Sequence, residues 1–185
     1  SKTESGVNAS PSKAIQSSDA KTSTAVTTAK AADEWSGVWV VIEYNRGEVA
    51  PVSWELLGVG RKLADDLGCE LAGVLIGKDV DPVIPEAFAY GAEKLYVIDD
   101  PILEPFRTQP YAEGLTKLVN KYKPEILLMG ATAMGRDVFP VVATKLQTGL
   151  TADCTVLEID PQSRLLLQTR PAFGGNIMAT ILCRK

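Results

Sequence analysis

From Trp35 onward, four unbroken apolar runs separated by stretches of helical spacing leave this chain little choice of architecture. Val38-Trp39-Val40-Val41-Ile42 has no polar interruption, as expected of a strand buried on both faces. Leu71 to Ile76, Leu95-Tyr96-Val97-Ile98 and Ile126 to Met129 repeat that pattern. Between the first two runs, Val52, Leu56, Val59, Leu63 and Leu67 recur at helical spacing until Gly68 ends the stripe. Pro85 to Tyr90 reads as a helical turn. Tyr111, Leu115, Leu118 and Tyr122 form a second stripe, stopped at Pro124, and Val138, Val142 and Leu146 line a third. Strands alternating with helices in this way predict an α/β fold, a mostly parallel sheet with helices on both faces.

After Gly149 the rhythm changes. Cys154 to Ile159, Leu165 to Thr169 and Ile177 to Cys183 read as consecutive strands, reversing at Pro161-Gln162-Ser163 and at Phe173-Gly174-Gly175-Asn176. They predict an antiparallel C-terminal strand extension of the parallel sheet. At 185 residues there is room for one well-packed domain of this kind. Residues 35–185 are assigned to it, and no internal repeat is visible.

Residues 1–34 differ in composition. Ser, Thr and Ala fill 19 of the 34 positions, aromatics are missing, and four lysines balance four carboxylates. Such a segment buries too little apolar surface to offset the entropy of ordering it. It reads as a flexible tail or as an arm that orders against a partner.

Several function classes are excluded or disfavoured. The chain has no histidine, which removes the commonest general base and the commonest transition-metal ligand. Cys69, Cys154 and Cys183 lack metal-binding spacing and lie beside apolar runs, so they read as packing residues. Their odd number suggests reduced thiols and a cytoplasmic protein. A net charge of −4 with scattered basic residues argues against nucleic-acid binding. No apolar run approaches the roughly 20 residues of a membrane span.

Two segments could carry chemistry. Gly130 to Asp137 follows a buried strand and opens a helix, the position at which open α/β sheets bind anions or nucleotides. Thr132 and Arg136 could contact a phosphate there; equally, the segment is a tight turn with Asp137 favouring the helix dipole. In Thr169-Arg170-Pro171-Ala172-Phe173-Gly174-Gly175-Asn176 a guanidinium precedes a proline that cannot donate to a sheet, and two glycines permit close backbone approach. A flat anionic ring would gain from such a neighbour, while a salt bridge at a sheet edge is the plainer reading. Asp65 with Asp66 and Asp99 with Asp100 read as solvated charge, and Asp153 as a loop-positioning residue.

The Thr169–Asn176 run, Gly130–Asp137 and Thr148–Thr155 occur in one order behind an opening strand that continues into Glu43-Tyr44-Asn45-Arg46-Gly47. Together they resemble the N-terminal domain of the electron transfer flavoprotein α subunit, over about residues 36–185. The Arg-Pro-Ala-Phe-Gly-Gly form is similar to the bacterial branch that includes electron-bifurcating members. The resemblance implies an adenine-nucleotide-hydrolase-like fold paired with a β subunit of similar fold. It implies FAD at the interface, held mainly by the β subunit, with Arg170 over the ring, Gly174, Gly175 and Asn176 shaping the approach, and Thr132 and Arg136 in the supporting turn. A second FAD is expected in a C-terminal FAD-binding domain absent from this chain. Electrons would pass between acyl-CoA dehydrogenase-type flavoenzymes and a quinone reductase or ferredoxin-type acceptor, without nucleic acid or membrane insertion. The alternative from another class is a stand-alone nucleotide-binding α/β module.

Overall fold

The computed structural model describes residues 13–16, 35–172 and 177–183. Its centre is β2 (Val38–Asn45), whose first seven residues are all buried. On one side β2 pairs in parallel with β4 (Leu71–Gly77), which pairs in parallel with β5 (Lys94–Asp99). On the other side it pairs in parallel with β6 (Ile126–Leu128) through Val38 to Val40. The last two residues of β2 turn back through Arg46 and Gly47, both at positive φ, into the short antiparallel β3 (Glu48–Val49). At the far edge, β1 (Lys13–Gln16) lies antiparallel to β5. The rest of residues 1–34 falls outside the described residues.

Helices cover both faces, as the spacing predicts. On one side α1 (Val52–Leu67) and α2 (Ile84–Ala89) pack over Val38, Val40, Ile42, Leu71, Leu75 and Leu95. On the other, α3 (Thr108–Tyr122) and α4 (Ala133–Leu146) pack over Trp39, Val41, Val74, Ile76 and Tyr96. Alternate residues of each strand thus serve opposite layers, which is why these runs carry no polar residue. Trp39, Tyr96 and Tyr122 form an aromatic cluster in the second layer, the first two with ring centroids 4.2 Å apart.

The buried stripe of α1 keeps Leu63 and Leu67 of the predicted one, with Leu56 and Val59 packed at its edge, but its centre runs through smaller residues. Ser53, Leu57, Gly60, Leu63, Ala64 and Leu67 face inward, while Val52, Leu56 and Val59 are only half-buried. The line of closest approach runs through small residues. A Cβ on Gly60 would lie 2.9 Å from Leu71 Cδ1 and 3.0 Å from Val40 Cγ2, so the helix sits deeper than a larger residue would permit.

The C-terminal strands are antiparallel, as expected, but they form a sheet of their own. The strand β8 (Leu166–Ala172) lies between β7 (Val156–Ile159) and β9 (Ile177–Leu182). Leu157, Ile159 and Leu166 anchor this sheet against the α1 layer, and Arg164 donates 2.9 Å to the Leu67 carbonyl at the end of α1. Packing on a helix, rather than ladder pairing, therefore joins it to the rest. Among the described residues no helix is long and apolar enough to cross a membrane.

Candidate functional site

At the carboxyl ends of β2 and β6, where strand order reverses, open α/β sheets form their ligand crevices. Here that end is closed by a hydrogen-bonded turn. Thr132 caps α4, its Oγ1 accepting from the Gly135 N–H at 3.1 Å. The same hydroxyl donates to Glu43 Oε2 at 2.5 Å. Capping by Thr typically stabilises a helix by about 1 kcal/mol. The added bond to a carboxylate fixes the direction of the hydroxyl proton.

Glu43 is 5% exposed, and its Oε1 is buried without a hydrogen-bond partner among the described residues. Burial pushes its carboxyl above the usual range; the Thr132 hydroxyl and the nearby Gly130 N–H oppose that rise. Gly130 approaches without the geometry of a full hydrogen bond, so Oε1 remains orphaned. The turn is also sterically tight. A Cβ on Gly130 would come 2.6 Å from Glu43 Oε1, and one on Gly135 would come 1.9 Å from the Gly130 carbonyl oxygen.

Arg136 extends from this turn. Its Nε donates to the Ala131 carbonyl at 3.0 Å and its Nη2 pairs with Asp153 at 2.7 Å. Asp153, in the left-handed conformation at φ 59°, belongs to the segment that leads into β7. Its neighbour Cys154 feels the charge of Arg170. The segment at 147–155 thus joins the two stretches singled out in the sequence: Thr132 and Arg136 on one flank, Arg170 on the other.

Arg170 lies on β8 opposite Ala179 and is half-buried. No carboxylate pairs with it among the described residues. Every other residue of β7, β8 and β9 faces away from the α1 layer, and that outer face carries exposed Val156, Met178 and Leu182; exposed Ile177, opposite Ala172, lies on the same side as Arg170. Gly174, Gly175 and Asn176, with Phe173, lie outside the described residues.

The remaining acidic pairs brace loops. Asp99 accepts from the backbone N–H groups of Asp79 and Val80, and Asp100 from that of Ile102, while Asp65 pairs with Arg61. The loop from Lys78 to Pro82 tightens into a 3₁₀ turn at Asp81–Val83. Among the described residues no group of His, Cys, Asp and Glu could hold a metal ion. Sequence patterns do not single out Glu43, because an acidic residue after an apolar run reads as the end of a strand. Only the crossover through α3 brings Thr132 against it.

Residues 38–185 match the electron transfer flavoprotein domain family. The protein FixB of Azorhizobium caulinodans is 54% identical over 147 residues, covering 78% of this chain and 40% of its own length. The electron transfer flavoprotein subunit alpha of Clostridium acetobutylicum is 49% identical over 150 residues, covering 81% of this chain and 45% of its own. That of Megasphaera elsdenii is 49% identical, with 81% and 44% covered. The chain therefore spans less than half the length of the curated relatives it matches. With its parallel sheet, its capped turn at Thr132 and the arginine strand β8 all within the matched span, the chain belongs to the electron transfer flavoprotein domain family.

Proposed function

We propose that this chain is the α-subunit domain of an electron transfer flavoprotein, pairing with a β subunit and forming one wall of an interfacial FAD site. The observation that carries this reading is Arg170: a half-buried guanidinium with no carboxylate partner among the described residues. A cation with no carboxylate partner among the described residues is suited to an anionic ring supplied from outside. The outer face of β7 to β9, with Val156 42%, Met178 52% and Leu182 43% exposed, is the kind of surface a partner covers. The bound FAD supplies the one- and two-electron chemistry; the chain supplies charge, shape and exclusion of water. The whole assembly would carry electrons from acyl-CoA dehydrogenase-type flavoenzymes to a quinone reductase or ferredoxin-type acceptor.

Thr132 and Arg136 support that wall. The Thr132 hydroxyl is engaged on both sides, by Glu43 and by Gly135, and Arg136 holds Asp153 and the Ala131 carbonyl. Groups so committed make a buttress, and Gly174, Gly175 and Asn176 are assigned to shaping the approach to the ring. The competing reading, a stand-alone nucleotide-binding module, needs those same groups free for phosphate. Calorimetry of the chain without partner should show no tight binding of ATP, ADP or AMP. Tight binding of any of them would favour the module.

The direct test is Arg170→Ala in the assembled complex, with flavin counted per α/β pair. A hydrogen bond to a charged group is worth about 1.5–3 kcal/mol, and about 30 mV corresponds to 1.4 kcal/mol for a two-electron couple. The interfacial flavin's potential should therefore fall by about 30–60 mV, since negative charge on the reduced ring loses its counter-ion. Arg170→Lys, which keeps the charge but not the planar fork, should restore part of the shift. An unchanged redox titration at full flavin content would remove Arg170 from the site.

A further inference from the structure

Beyond the flavin site, one cluster of nucleophilic side chains has no role in the account above. Cys154 and Cys183 are distant in sequence, yet both sulfurs rest on Thr151. Cys154 Sγ donates to the Thr151 carbonyl at 3.8 Å, and Cys183 Sγ lies 4.0 Å from Thr151 Oγ1. Gln168, itself buried, donates its Nε2–H to Cys183 Sγ at 3.4 Å, so that sulfur is held as an acceptor while Cys154 is held as a donor. A Cβ on Gly149 would sit 2.7 Å from Cys183 Sγ, which places the start of the 149–155 segment directly on the end of β9. The two thiols are near enough for charge on one to act on the other. Both remain free and half-buried.

We propose that Cys154 and Cys183 are a dithiol pair that closes to an intramolecular disulfide when the protein meets a peroxide. One thiol reduces hydrogen peroxide: the O–O bond breaks, a sulfenic acid forms and one water leaves. The second thiol then displaces the sulfenic hydroxyl, forming the S–S bond and releasing a second water, so two thiols and one peroxide give one disulfide and two waters. The segment that carries Cys154, residues 147–155, belongs to no helix or strand; Asp153 within it is paired with Arg136, and the Thr155 N–H is bonded to the Thr169 carbonyl. Burial pushes the Cys154 thiol up while Arg170 opposes it. Closure would fasten Asp153, and with it the Arg136 pair, to the arginine-bearing sheet.

Cys69 is the built-in control. It lies between α1 and β4, where its surroundings are Gly37, Val38, Glu125 and Arg61, and it shares no contact with the other two. The full chain, purified reduced, is treated with hydrogen peroxide, alkylated with N-ethylmaleimide and mapped by peptide mass spectrometry. The expected product joins the Cys154 and Cys183 peptides with loss of two hydrogens, carries alkylated Cys69, and reverts with dithiothreitol. Its thermal midpoint should rise on oxidation and fall back on reduction, because a cross-link restricts the unfolded chain. Cys154→Ser should abolish both changes. The proposal is overturned by a bridge that includes Cys69, by sulfinic or sulfonic acid at either position without a disulfide, or by two thiols that stay alkylatable after peroxide.

Discussion

Replacing Gly135 by alanine should destabilise this protein by about 3 kcal/mol, the upper end of the usual overpacking range or beyond it. The same substitution at Gly58 should stabilise it by about 0.5–1 kcal/mol. Both residues are helical, in α4 and α1 respectively, so the intrinsic gain from removing a glycine is similar. What differs is the space each methyl would enter. At Gly58, which is exposed, nothing lies within 4 Å. At Gly135 the methyl would come 1.9 Å from the Gly130 carbonyl oxygen and 3.1 Å from its carbon. Those are backbone atoms, which cannot rotate aside as a side-chain end can. Relief requires moving the first turn of α4 away from β6, and that motion would also stretch the Thr132 cap and its bond to Glu43. The clash term exceeds the propensity term several-fold, so the sign reverses. Urea midpoints of the two variants measured side by side check this, and equal or same-sign shifts would show that the turn is looser than its geometry implies.

That tight turn also shows where a sequence stops being informative. The central strands were legible because each faces a helical layer on both sides, which forces an unbroken apolar run. Arg170 stands out in the sequence because its charge precedes a proline at the end of a strand, a pattern that a sheet-edge salt bridge would also explain. By contrast β3 is two residues long, and β1 lies in a stretch whose composition carries no alternation. The large aliphatics of α1 give its inward side but not its closest line of contact, because Ser53, Gly60 and Ala64 pack by being small, which hydrophobic periodicity does not register. Glu43 and Thr132 touch only because β6 crosses to the far side of β2, and Cys154 and Cys183 only because a separate sheet folds back on the 149–155 segment. Polar contacts of that kind depend on topology, and no local pattern encodes them.

Glu43 provides the second large effect, and its sign follows from linkage. Its carboxyl is raised in the folded protein by burial, the largest cause, against the Thr132 bond and the Gly130 N–H. Because the folded state holds this proton more tightly than the unfolded chain, Glu43 contributes stability that is fully present below the unfolded value, about 4.3. That contribution is lost as pH rises through the higher folded value, beyond which a buried carboxylate with an orphaned oxygen remains. Glu43→Gln keeps the shape and cannot ionise. Its stability relative to the wild type should therefore improve steadily from acid toward neutral pH, with a slope of at most about 1.4 kcal/mol per pH unit, and level off above the folded value. Any constant offset from exchanging a charged acceptor for an amide does not affect that slope. Denaturant midpoints of the two proteins at a series of pH values give the difference directly. A flat or declining difference would mean that the carboxyl is solvated in the folded protein. In that case the closed turn, with the Thr132 hydroxyl fixed between Glu43 and Gly135, would not be the resting arrangement of this end of the sheet.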